Sequence, residues 1–253
     1  MIKERIVAGA SGSPGSVAAV RWAATEARLR DTGLSIIVAY HGRQAGRAAT
    51  DDIIHTAVTA AREAAPGIEI RAVPLPGYAV PALLRAAEDA ALLVVGGGAG
   101  GLIGRPAGSV AGQVATRARC SVVVVRGHPN DAGPVVVGVD DGADGVVGRA
   151  FDEAALRGAQ VLAVTAGGKG GQAAEALGTD LDSRLDPWRL KYPSVTARRE
   201  YVDGRPDRIM VDVCRQARLA VVGPRRHGFE GVLLGAIGTR LLDHADCPVL
   251  IAR

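Results

Sequence analysis

The sequence predicts an α/β fold of two tandem doubly wound lobes, each a five-stranded parallel sheet flanked by helices. Three observations point there. Short apolar runs alternate with helix-length segments. The same series of runs occurs twice. The core must also be aliphatic, because aromatic residues make up 3% of the 253 residues and hydrophobic residues 48%. Val, Leu, Ile and Ala in short runs suit buried parallel strands under Ala-rich helices.

In the first copy the strand candidates are Ile6–Ala10, Leu34–Tyr40, Ile68–Val73, Leu92–Gly96 and Val122–Arg126. Ser13-Pro14 places an N-cap before a proline at the first helical position. The helix that follows carries Val17, Val20 and Ala24 on one face. Pro81 opens a second helix, Ala82 to Ala91, and a third begins near Val110. The second copy has strand candidates Val135–Asp140, Val161–Thr165, Val195–Val202, Leu219–Gly223 and Val249–Ala252.

The repeat is legible segment by segment. Ile6-Val7-Ala8-Gly9 matches Val135-Val136-Val137-Gly138. Leu92-Leu93-Val94-Val95-Gly96 matches Leu219-Ala220-Val221-Val222-Gly223, and Cys120-Ser121-Val122 matches Cys247-Pro248-Val249. The offset is 129 residues for the first pair and 127 for the other two, which makes the chain two copies of one unit. Residues 1–127 form the first lobe and 135–253 the second. Gly127 to Pro134 is a polar, Gly/Pro-bearing joint. Strands alternating with helices imply right-handed crossovers. Such sheets take ligands beyond the carboxyl ends of their strands, where the winding reverses.

Several function classes are excluded. The net charge of +4 comes from Arg residues scattered among acids, with no basic run and few aromatics to stack on bases, so nucleic acid is not a partner. Cys120, Cys214 and Cys247 form no CxxC pair, and His41, His55, His128, His227 and His244 show no metal spacing. No stretch approaches the ~18 apolar residues of a membrane span. The N-terminus has no signal-peptide pattern, so a cytoplasmic protein is expected. A serine hydrolase is improbable, since Ser13 stands where a G-x-S-x-G elbow around Ser11 needs Gly.

The informative segment follows the fourth strand: Gly96-Gly97-Gly98-Ala99-Gly100-Gly101-Leu102-Ile103-Gly104-Arg105-Pro106-Ala107-Gly108-Ser109, then a helix from Val110. Glycines let backbone N–H groups approach a ligand, and a helix N-terminus adds unpaired donors and a positive dipole end. No Asp or Glu occurs between Ala90 and Asn130. Together these make a phosphate cradle, with a plain Gly-rich surface loop as the alternative. Gly96, Gly98 and Gly101 also satisfy GxGxxG. The dinucleotide version, however, follows the first strand and needs a carboxylate about 20 residues on.

With these residues, and with Arg21-Trp22-Ala23-Ala24, Pro187-Trp188-Arg189-Leu190-Lys191-Tyr192-Pro193, Gly204-Arg205-Pro206 and His244-Ala245-Asp246-Cys247-Pro248-Val249, the chain resembles the universal stress protein family in its tandem two-domain form. The resemblance implies a strand order of 3-2-1-4-5. It also implies a last strand used for pairing between domains, hence an intramolecular pseudo-dimer of lobes. A homodimer of chains is a further expectation. It implies ATP, with or without Mg2+, held by G-x2-G-x9-G-[S/T]. Gly98 and Gly108-Ser109 keep the second spacing, while Gly96-x-Gly98 is one residue short. The implied site residues are Ala10, Ser11, Ala39, Gly96, Gly98, Gly108, Ser109 and Val110 in the first lobe, and Asp140, Gly223 and Gly235 in the second.

The two lobes depart from the family pattern in opposite ways. Ser11 stands where family binders keep Asp, whereas the second lobe keeps Asp140. In the second lobe Arg226 replaces a motif Gly, only eight residues separate it from Gly235, and Ala236 replaces the hydroxyl residue. Losing one charge-assisted hydrogen bond costs roughly 1.5–3 kcal/mol, about ten- to hundredfold in affinity. The first lobe is the better site, because polyphosphate carries most of the ligand's charge. Three readings stand. The first is an ATP-binding stress-response module. The second is a nucleotide-free scaffold with degenerate sites. The third, a slow ATPase, ranks last because no general base is placed.

Overall fold

The computed structural model describes residues 5–40, 45–97, 109–128, 130–139, 144–167, 172–223, 225–226 and 232–253. The chain divides into two units, Met1–Arg126 and Gly127–Arg253.

The first unit runs β1 (Ile6–Gly9), α1 (Pro14–Leu29), β2 (Leu34–Tyr40), α2 (Ala45–Ala64), β3 (Ile70–Pro76), α3 (Ala79–Ala86), β4 (Leu92–Gly96), α4 (Val110–Arg117) and β5 (Ser121–Val125). Its strand order is β3-β2-β1-β4-β5, all parallel. The second unit runs β6 (Val135–Gly138), α5 (Asp144–Arg157), β7 (Val161–Gly167), α6 (Gln172–Lys191), β8 (Ala197–Asp203), α7 (Pro206–Cys214), β9 (Leu219–Val222), β10 (Arg225–Arg226), β11 (Val232–Leu233), α8 (Ala236–His244) and β12 (Val249–Ile251). Here the parallel order is β8-β7-β6-β9-β12, with β10 and β11 forming a separate antiparallel pair. Each unit is therefore doubly wound in the order 3-2-1-4-5.

The central strands are buried along their length because helices cover both faces of a parallel sheet. Ile6, Ala8, Leu93, Val94 and Val122 are fully buried in the first unit, as are Val135–Val137 and Leu219–Val221 in the second. Ala19, Ala23, Ala24 and Ala27 give α1 a flat apolar face against the sheet. In α5 the residue at the position of Ala24 is the buried Phe151. The neighbouring Gly148 has no room for a side chain, since a Cβ there would lie 2.2 Å from the Trp188 ring of α6.

Each first helix also buries a carboxylate. Glu26 is 1% exposed and accepts from Arg30 Nε at 2.7 Å. Glu153 is equally buried, pairs with Arg157, and lies 3.2 Å from Arg149 Nε. Arg157 in turn offers its backbone carbonyl to Arg218 at 2.9 Å. The i,i+4 spacing lets these pairs form on one helix face.

Several bounds shift from the sequence expectation, among them β7, which runs on to Gly167, and β8, which spans Ala197–Asp203 rather than Val195–Val202; three departures have a clear local cause. β3 begins at Ile70 and extends to Pro76 rather than ending at Val73. The ladder with β2 continues because residues 69, 71, 73, 75 and 77 are the ones that face it. Leu34 N donates to Glu69 O, and Gly77 N donates to Tyr40 O, both at 2.9 Å. Pro74 and Pro76 fall on the alternate, outward-facing positions of this edge strand, where no N–H is required. α3 starts at Ala79 and ends at Ala86, where Ala87 N is shared between the carbonyls of Leu83 and Leu84 and tightens the last turn. Finally, the joint is fastened to the second unit. His128 N donates to Asp246 O at 3.0 Å and Asn130 N to Ala217 O at 3.2 Å, and a Cβ at Gly133 would lie 2.2 Å from Gln216 O.

Candidate functional site

In the first unit the chain lays down β1, β2 and β3 in one direction, then crosses back to put β4 on the other side of β1. The winding reverses between β1 and β4, so the crevice at their carboxyl ends is the candidate site. Ala10 and Ser11 follow β1, and Ala10 N donates to Ile37 O of β2 at 2.9 Å. Ala39 lies two residues farther along β2, paired with Leu75 of β3.

Between β1 and α1 a network of serines shapes the turn. Ser13 caps α1 by accepting from Ser16 N at 3.2 Å. Ser16 Oγ donates to Ser13 O at 2.8 Å and accepts from Ser11 N at 3.2 Å. The hydroxyls of Ser11 and Ser13 are 3.1 Å apart. Gly12 sits at φ +77°, a left-handed conformation that suits glycine. Sequence reasoning found the Ser13 cap but missed Ser16. The repeated Ser-x-Ser-x-x-Ser spacing was the available signal.

Gly96 closes β4, and its role is tighter than a loop glycine's. A Cβ on Gly96 would lie 2.4 Å from Gly15 O and 2.9 Å from Ser16 N. A Cβ on Gly15 would lie 2.8 Å from Gly97 O. The N-terminus of α1 thus rests directly on the backbone at the end of β4. Gly97 N is itself committed, donating to Val125 O at 2.8 Å. Gly98 and Gly108 lie outside the described residues.

At the far end of the loop Ser109 is the N-cap of α4. Its Oγ accepts from Gly112 N at 3.0 Å, and its carbonyl accepts from Gln113 N at 3.0 Å. Ser109 is exposed and Val110 is 40% exposed, so this helix end faces solvent. The first turn carries no acid. A solvent-facing helix N-terminus with a hydroxyl at the cap can receive an anion.

The second unit builds the same region differently. Val139 N donates to Val164 O at 2.9 Å, as Ala10 does to Ile37, and Asp140 just beyond it lies outside the described residues. Gly223 meets a side chain rather than a backbone, since its Cβ would lie 2.6 Å from Val146 Cγ2. The following segment is folded back as the β10–β11 ribbon, with Arg225 opposite Leu233 and Arg226 opposite Val232. Two-residue strands in a polar stretch leave no periodicity to read. Gly235 is the N-cap of α8 and offers no side-chain cap bond, while Thr239 N donates to its carbonyl at 3.0 Å. Among the described residues no group of three His, Cys, Asp or Glu could hold a metal ion. No described helix is long and apolar enough to cross a membrane.

Comparison with known proteins gives the following. The family model described as "Universal stress protein family" matches residues 3–126 and again 133–253. Universal stress protein Rv2623 of Mycobacterium tuberculosis is 32% identical, the match covering 98% of this chain and 96% of that protein. A universal stress protein from Archaeoglobus fulgidus has a crystal structure that superimposes with a TM-score of 0.75 at 14% identity, over 99% of this chain and 96% of that one. A universal stress protein solved in complex with cAMP is 30% identical, covers 50% of this chain and 99% of its own, and has a TM-score of 0.44.

Proposed function

Because the chain belongs to the universal stress protein family, we propose that it is an adenine-nucleotide-binding regulatory module whose working site is the first lobe. The observation that carries this reading is the N-terminus of α4, solvent-facing, capped by the Ser109 hydroxyl and free of acids in its first turn. Phosphate oxygens at that end would meet first-turn N–H groups and a positive dipole end. Ala10 and Ala39 supply small side chains near the ends of β1 and β2, where a nucleoside can approach. ATP is the expected ligand. No acid occurs between Ala90 and Asn130, and Ser11 offers no carboxylate. Mg2+ bound with ATP would therefore take its ligands from phosphate and water rather than from this lobe. The first lobe is expected to bind without turnover, and two chains are expected to associate.

Isothermal titration with ATP·Mg tests the reading, with cAMP as a second ligand. Binding in the wild-type chain that is lost on Gly108→Arg and kept on Gly235→Arg supports the first-lobe site. Absence of heat at high protein concentration refutes it. Phosphate release above background that Gly108→Arg abolishes would make the protein an ATPase instead.

A second reading, a scaffold that binds no nucleotide, is favoured by one observation. The contact between Gly96 and Gly15 gives Gly96 a packing role that needs no ligand. Nucleotide absent both from the purified protein and from titrations would select that reading.

A further inference from the structure

The end of α6 holds an ammonium group on a platform of two aromatic rings that the nucleotide site does not use. Trp188 and Tyr192 are one turn apart on α6, so their side chains share a face. Their ring centroids are 6.5 Å apart and the ring planes differ by 19°. Lys191 Nζ sits over both rings, 5.2 Å from the Trp188 centroid and 5.0 Å from that of Tyr192. α5 fixes the rings from behind. Trp188 fills the space left at Gly148, where a Cβ would collide with its ring. Tyr192 packs on the buried Phe151, with centroids 6.0 Å apart, and its hydroxyl donates to the Asp152 carboxylate. A negative charge thus stands at the edge of the platform. Lys191 and Asp152 are both exposed, while the two rings are half-buried. In the first unit Arg21 stands at the position of Gly148 and pairs with Glu63 of α2, so an ion pair joins those two helices instead.

We infer that Trp188, Tyr192 and Asp152 form a binding site for a trimethylammonium group, and that Lys191 is its displaceable internal occupant. The faces of Trp and Tyr attract cations through the ring quadrupole, and quaternary ammonium groups are recognised in this way. The platform already holds a cation, which shows the charge it prefers. The rings are held by α5 rather than by the ligand, so little ordering is left for binding to supply. A primary ammonium is compact, strongly hydrated and carried on a flexible stem, so it returns to water at little cost. A trimethylammonium group has the same charge, and its methyl groups can bury against both rings. It donates no hydrogen bond, and the platform asks for none, because the Tyr192 hydroxyl and the Asp152 carboxylate already serve each other. Lys191 is one of three lysines among the 30 basic residues of the chain. An arginine in its place would lie flat on the rings and close the platform.

The test follows the indole N–H signals of Trp22 and Trp188 by heteronuclear NMR while the isotope-labelled full chain is titrated with tetramethylammonium chloride. The Trp188 signal should move and saturate, and that of Trp22 should stay in place. Sodium chloride at equal ionic strength and tert-butanol, an uncharged analogue of similar size, should move neither. Lys191→Gln, at an exposed position, should bind about five- to tenfold more tightly, because the tethered competitor is gone. Adding Asp152→Asn to that variant should weaken binding about threefold. Choline and phosphatidylcholine vesicles then separate two sources of the same group. A Trp188 response to choline alone assigns a free solute, and a response to vesicles alone assigns a lipid headgroup. The inference is overturned if the Trp188 signal of Lys191→Gln stays unmoved up to molar tetramethylammonium. It is equally overturned if sodium moves that signal as far, or if Lys191→Gln binds no more tightly than the wild-type chain. No nucleotide enters these measurements, so the nucleotide reading stands or falls separately.

Discussion

The ends of β4 and β9 occupy the same place in the two units and are finished in different ways. After β4 the backbone of Gly96 touches the backbone of Gly15, and α4 begins under a serine cap. After β9 a glycine touches only the tip of Val146, the chain folds into a ribbon, and α8 begins under a glycine. A glycine at the end of the fourth strand is thus required by helix packing in the first unit and only favoured by it in the second. Its presence says little about a ligand. The cap residue and the loop between discriminate, and they differ.

The largest test of this comparison lies at the opposite ends of the sheets. Glu153→Ala should destabilise the second unit by about 3–5 kcal/mol, because Arg157 is nearly buried and would lose its carboxylate. Glu26→Ala should cost less, about 1–2 kcal/mol, since Arg30 is 21% exposed and can turn to water. Hydrogen-exchange mass spectrometry, which reads the peptides of each unit separately, would show it. Equal effects would mean that the buried pairs are interchangeable.

Next comes the glycine contrast. Gly96→Ala should cost about 3 kcal/mol, since a backbone carbonyl cannot move aside, whereas Gly223→Ala should cost about 1 kcal/mol as Val146 changes rotamer. The same exchange experiment reports both. The caps follow. Ser109→Ala should loosen α4 by about 1 kcal/mol, and Gly235→Ser should steady α8 by about 0.3 kcal/mol. In titration calorimetry Ser109→Ala should also weaken ATP binding, on the order of tenfold.

The smallest effect concerns pH. Arg205 beside Asp207, with Arg240 on its other side, holds this carboxyl below its ordinary value. The stability it lends to the start of α7 is complete above the ordinary carboxylate range and fades as pH falls through the lowered value. Asp207→Asn should flatten the acid limb of the second unit's stability and leave the first unit's unchanged, as unit-resolved exchange between pH 3 and 6 would show.

Much of the fold was legible because buried parallel strands read as apolar runs. Leu92–Gly96 and Leu34–Tyr40 have the boundaries their composition suggests. Ser13 and Ser109 were legible as caps because a cap is a local bond. What escaped depends on crossing geometry. Nothing local reveals that Gly15 meets Gly96. Glu26 and Glu153 look like solvated helix acids until the arginine four residues on is seen to seal each one in. The ribbon of β10 and β11 carries no alternation to read.

The outer strands carry a consequence of their own. β3 turns two prolines outward, so that edge lacks two of the donors a further strand would need. β8, an edge strand of the second unit, has no proline and shows Arg198, Arg199 and Glu200 to solvent. One edge is guarded by covalent structure, the other by charge. Salt leaves the first guard intact and screens the second, with a Debye length falling to about 3 Å at 1 M. Recruitment of a further strand by β3 should therefore be insensitive to ionic strength, whereas recruitment by Ala197–Asp203 of β8 should rise in brine.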